Sequence, residues 1–156
     1  MTQNDPVTKA NKNPRRSTRR CSRKLAMQGF YQWRVAGGAV EVIEAQLRGG
    51  KEFAKTDQDF FSDLLRGGLA KSAELEQQIQ TCLDRPLKEL SPVEFAILLL
   101  GAYELSDHPE TPYRVVINEA VELAKIYGGS DGHKYVNGAL DKLAARMRSP
   151  EVNTAN

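Results

Sequence analysis

Between Val116 and Lys142 the chain reads VINEAVELAKIYGGSDGHKYVNGALDK, two helical patterns hinged on GGSDG. In the first, Ile117, Ala120, Val121, Ala124 and Tyr127 recur at helical spacing; in the second, Val136, Ala139, Leu140, Leu143 and Met147 do. Gly128 and Gly129 can take the left-handed backbone that ends a helix, and Ser130 and Asp131 can cap the start of the next. The stretch is therefore a helix–turn–helix hairpin, and the rest of the fold has to pack against it.

The segments upstream carry the same period. A first helix runs from about Ser17 to Ala36 and ends at Gly37 and Gly38. A second spans Ala39 to Leu47. A third, capped by Thr56 or Asp57, continues to about Leu69, and a fourth runs from about Ser72 to Leu83 before Arg85-Pro86 breaks it. Ser91-Pro92-Val93-Glu94 fits a capping box with proline at the first helical position. The helix it opens is apolar almost all round from Phe95 to Tyr103, as expected of a central buried helix. Pro112 opens the sixth. No segment alternates as a half-buried strand does, so the reading is an all-α fold of about seven helices. Asn137-Gly138 is intrinsically poor inside a helix, and a close helix–helix approach at Gly138 is the expected reason. A length of 156 residues suits one domain or two small, closely packed ones.

Charge is unevenly placed. From Met1 to Lys24, eight cationic residues face Asp5 alone, giving +7, and since the whole chain carries +2 the remainder carries −5. Arg20, Lys24, Met27, Tyr31 and Arg34 recur on one face of the first helix, with Arg16, Arg19 and Arg23 between it and the apolar face of Leu25, Ala26, Gly29, Phe30 and Trp33. Like charges at helical spacing repel by a few tenths of a kcal/mol per pair. A cationic wall with no acid between Arg15 and Arg34 is thus poorly explained by stability. It suits phosphate, and a ring set in it can stack on an unpaired base. Met1–Pro14 reads as a disordered terminus, either ragged or a basic arm that touches phosphates. Residues 149–156 read as a polar tail.

Several chemistries find no support. The histidines are His108 and His133, there is no HExxH, and Cys21 and Cys82 are far apart, so neither a metal site nor a disulfide is indicated. GxSxG is absent. GGSDG follows no strand and carries neither phosphate-loop pattern. It does expose a helix N-terminus, which favours an anion, with Lys134 and Tyr135 in the first turn. Tyr135 reads equally as a stacking ring or as a packing residue beside Val136 and Ala139. Asp131 opposes phosphate by repulsion or simply caps the helix. No apolar run approaches the roughly 20 residues that span a membrane, and the basic N-terminus has no apolar segment behind it. The reading is a cytoplasmic, non-catalytic protein without cofactor.

NEAVELAK, the Gly-rich turn and HKYVNGALDKL, preceded by YELSDHPETPYRVVINEA and, at the N-terminal end, RRSTRRCSRKLAMQGFYQW, resemble the NusB family of bacterial transcription antitermination factors. The resemblance covers about residues 15–148. It implies two packed three-helix subdomains led by the Arg-rich helix. It further implies binding to the single-stranded boxA element of nascent ribosomal RNA together with NusE, a small-subunit ribosomal protein, and assembly with other Nus factors on RNA polymerase to suppress Rho-dependent termination. Arg15, Arg16, Arg19, Arg20, Arg23 and Lys24 would then meet phosphates, with Asp131, Lys134 and Tyr135 extending the track. Tyr31 and Glu94 match family positions for the protein partner; Tyr31, on the basic wall, can also serve RNA, and Glu94 can serve as the capping-box acid. Cys21 stands where relatives can carry Arg, and Lys88 where they can carry Glu. Two other functions fit a NusB-like domain: an accessory module for rRNA modification, and a protein-binding helical module, including a homodimer that hides its basic face.

Overall fold

Proline 14 occupies the first turn of helix α1 (Pro14–Ala36), three residues earlier than the sequence suggested. A proline is at no disadvantage there, because the first amides of a helix have no intrahelical acceptor. The computed structural model describes residues 14–155, so the arm read from Met1 to Pro14 falls, Pro14 apart, outside the described residues. At its far end α1 stops at Gly37 and Gly38, whose φ angles of 71° and 107° suit glycine. Then come α2 (Val40–Arg48), α3 (Gln58–Ala70), α4 (Ser72–Gln80), α5 (Pro92–Asp107), α6 (Tyr113–Tyr127), α7 (Gly132–Met147) and α8 (Ser149–Ala155), with 3₁₀ turns at Phe53–Lys55 and Leu87–Glu89.

Among the described residues there is no strand, and the all-α reading holds. The eighth helix lies within the polar tail, where 149–155 is helical. It is tied back where Glu151 accepts from the Tyr113 amide at 2.9 Å and from Arg148 at 2.8 Å. Arg148 itself is buried and donates to the carbonyls of Glu104, Leu105, His108 and Thr111, which satisfies the orphan end of α5. Helix α4 ends at Gln80 and not Leu83, as the chain turns toward Arg85 and the Gln80 side chain bridges to the Arg85 carbonyl and the Leu87 amide.

Helix α5 is the axis of the molecule. Asp57 and Ser91 cap α3 and α5, each accepting a backbone amide at 3.1 Å. From Phe95 to Leu105 every α5 residue is buried, and the helix packs on α1, α3, α4, α6 and α7. Two contacts fix its direction against α1: Trp33 stacks on Phe95 with ring centroids 6.3 Å apart, and Arg23 meets Glu104. As α1 ascends from 23 to 33, α5 descends from 104 to 95, so the two are antiparallel. The hairpins after α5 and α6 then set α6 parallel to α1, which brings Arg20 to Glu119, and α7 antiparallel to it. The N-terminal half (α1–α3) and the C-terminal half (α5–α7) share one continuous apolar core.

Candidate nucleic-acid interface

The α1 cations do not form an unbalanced wall. Arg19 lies 3.5 Å from Asp57, Arg20 makes a two-point pair with Glu119 at 3.0 and 2.8 Å, and Lys24 pairs with Glu52. Arg23 is buried, 5% exposed, and pairs with Glu104. The sequence expectation of a face without acidic partners is corrected here. The acids come from the loop before α3, from α5 and from α6, up to 99 residues away, and local spacing cannot show them. Met27, placed on the same face, is buried in the core.

Arg15, Arg16 and Arg20 remain exposed, and Lys24 half so. Beside Arg20 and Lys24 opens a cleft of about 410 Å³, lined also by Cys21, Lys55, Glu122, Ile126 and Tyr127. Glu119 forms its inner wall. The Arg20 guanidinium is held above its ordinary pKa by the Glu119 hydrogen bond and charge, and the Lys24 ammonium by the Glu52 hydrogen bond, in both cases against burial. Cys21 is a free thiol whose pKa burial raises, and it donates weakly to the Glu52 carbonyl at 3.7 Å. Residue 21 therefore packs the 49–57 loop onto α1.

Tyr127, which shares the helical period of α6, and its neighbour Ile126 are 40% and 68% exposed and form the rim of the cleft. An apolar position in the last turn of a helix, just before Gly-Gly, was the available signal. The turn that follows is not left-handed. Gly128 has φ −84° and ψ 173°, and a Cβ there would stand 2.7 Å from the Ala124 carbonyl, so contact and not handedness demands glycine.

Beyond the turn, Asp131 occupies the N-cap position of α7 without a side-chain cap bond, which corrects that part of its sequence reading. It lies 3.8 Å from Lys134, both strongly exposed. Tyr135 is half-buried. Its hydroxyl donates to Asp84 at 3.1 Å, and the Arg85 guanidinium covers one ring face at 4.4 Å. Burial first, then the Asp84 bond, raises its pKa. Glu94 lines the same shallow pocket as Arg85, Asp131, Lys134 and Tyr135, its carboxylate beside Gly132. Ser91 supplies its half of the capping box, while the Glu94 carboxylate faces the α7 turn. Gly138 is exposed and nothing approaches it, contrary to the expected helix–helix contact. Tyr31 is exposed, two turns along α1 from Lys24.

The structure therefore brings Glu94 together with Asp131, Lys134 and Tyr135, places Arg20 and Lys24 at a cleft ending on Tyr127, and removes Arg23 to the interior. Four residues of turn join Tyr127 to α7, so the cleft and the α7 cluster adjoin.

The NusB family model matches residues 20–145. The chain belongs to the NusB family. A transcription antitermination protein NusB from Nitrosospira multiformis is 67% identical over 130 residues, covering 83% of this chain and 82% of its own length. The one from Nitrosomonas eutropha is 58% identical, covering 90% and 84%. Among solved structures, a NusB from T. maritima aligns with a TM-score of 0.71 at 29% identity, covering 80% of this chain and 89% of its own. A NusB solved with NusE and double-stranded RNA aligns with a TM-score of 0.75 at 23% identity, covering 81% and 96%, a likeness of fold. No helix among the described residues of this NusB chain is long and apolar enough to cross a membrane.

Proposed function

We propose that this NusB chain is a non-catalytic antitermination factor of the cytoplasm that binds the single-stranded boxA element of nascent ribosomal RNA together with NusE. The pair joins other Nus factors on RNA polymerase and suppresses Rho-dependent termination. One observation carries the RNA reading. Arg15, Arg16, Arg20 and Lys24 lead along α1 to a cleft whose far rim is the Tyr127 ring, and the α7 turn with Lys134 and Tyr135 follows directly. Cations hold phosphates by counterion release, and rings hold unpaired bases by stacking.

In this reading Arg19 shares its charge between Asp57 and RNA, and Arg23 acts indirectly by fixing α1 on α5. Tyr135 offers a base the ring face opposite Arg85, and Asp131 lowers phosphate affinity by its charge. Tyr31 and Glu94 serve the protein partner; Glu94 sits beside the RNA cluster, so partner and RNA would meet across it. The experiment is transcription in vitro through a Rho-dependent terminator downstream of boxA, with the other factors held constant. Read-through that requires both this chain and an intact boxA supports the reading, and read-through indifferent to either overturns it.

A further inference from the structure

The loop between α2 and α3 lies along the cationic side of α1 as a fitted strip. The Asp57 amide donates to the Thr18 carbonyl at 3.4 Å, and Ser22 Oγ donates to the Asp57 carbonyl at 2.8 Å. With Cys21 against the Glu52 carbonyl, these contacts fix where the loop's side chains fall. Glu52 falls on Lys24. Its Oε1 is inaccessible to solvent and has the Lys24 ammonium as its partner, and that contact first of all holds the carboxyl below its usual range. Lys24 also lines the cleft described above.

We infer that Glu52 is an internal competitor for the polyanion, a carboxylate occupying the place on Lys24 that a phosphate oxygen takes when RNA binds. A carboxylate and a phosphate oxygen make the same charge-assisted bond to an ammonium, so one must leave for the other to enter. The free protein thus holds part of its RNA face in a self-neutralised state, and the affinity is set lower than the cation count implies. Glu119 restrains Arg20 in the same way, but it is buried against Arg23 as well and belongs to the fold; Glu52 sits on a surface loop and can swing away. The inference rests on the RNA reading for its natural ligand, while the competition itself concerns any polyanion.

The test compares wild type, Glu52→Gln, Lys24→Gln and the double variant, with Glu41→Gln on exposed α2 surface as a control for net charge. Two readouts are used: affinity for boxA and scrambled RNA, and the salt concentration that elutes each protein from heparin. The loss of one partly exposed ion pair is a small effect, so Glu52→Gln is expected to tighten polyanion binding by up to about fivefold. Glu41→Gln should change it less, and in the Lys24→Gln background the Glu52 gain should shrink to the Glu41 level. An equal gain with and without Lys24, or no gain on heparin, overturns the competition. Failure of wild type to distinguish boxA from scrambled RNA would instead count against the RNA reading, and the heparin comparison would still decide the inference.

Discussion

Arg23 and Glu104 form a two-point ion pair in the interior, Nε to Oε2 at 2.7 Å and Nη2 to Oε1 at 3.0 Å, with side chains only 6% and 1% exposed. The pair crosslinks the Arg-rich helix to the central one. Removing one partner strands a buried charge, which costs on the order of 3–5 kcal/mol. Arg23→Ala should therefore lower the urea midpoint sharply. Arg23→Met combined with Glu104→Leu should recover much of the loss, because both charges of the pair are gone and Glu119 keeps its two-point pair with Arg20. A stable Arg23→Ala protein with weakened RNA binding would return Arg23 to the surface role its sequence position suggested.

His108 joins α3 to the α5–α6 loop. Its Nε2 meets Asp63 at 2.5 Å and its Nδ1 meets Glu110 at 2.7 Å, while the ring stands edge-on to Phe60 and Tyr103. Burial pulls its pKa down, but the two carboxylates outweigh that and the folded value lies above the ordinary 6.5. The stabilising charge is fully present below about pH 6.5 and is lost as pH rises through the elevated folded value. Thermal stability should accordingly fall as pH rises above about 6.5 in the wild type, and His108→Gln should flatten that slope.

Two glycines on helices should respond in opposite directions. A Cβ on Gly67 would stand 2.1 Å from the Tyr103 hydroxyl oxygen, so Gly67→Ala should displace that ring, weaken its 3.0 Å bond to Asp63 and lower the melting temperature. Gly138 has open space around it. There Gly138→Ala should stabilise by about 0.5–1 kcal/mol, the ordinary helix-propensity gain. A loss at Gly138 would contradict the open surroundings of that glycine.

Asp131 makes no cap bond, so Asp131→Asn removes a charge beside Lys134 at no cost in capping. The expected outcome is unchanged melting and modestly tighter RNA binding, since the repulsion toward phosphate is gone. Weaker binding, measured by anisotropy, would mean that the carboxylate accepts a bond from the RNA.

How much of this was legible in the chain depended on range. The buried helix from Phe95 to Tyr103, the Ser91 and Asp57 caps and the glycine stops after Ala36 are local features, and each stood where its residues indicated. The cations of α1 were legible as charges but not as pairs, because Glu52, Asp57, Glu104 and Glu119 reach them only through tertiary packing. Tyr127 satisfied the helical period yet faces solvent, since the last turn of α6 runs past the core. Residues 149–155 lacked an apolar stripe; Glu151 and Arg148 anchor them by polar bonds that periodicity does not register.

The most direct measurement is the affinity of the purified chain for a labelled single-stranded boxA RNA and a scrambled control at two salt concentrations. Preference for boxA, with binding that weakens steeply as salt rises (about 0.7 in log–log slope per phosphate neutralised), is the predicted result. Equal, weak binding to both RNAs at either salt would contradict it, leaving the cationic face of α1 as a set of intramolecular ion pairs.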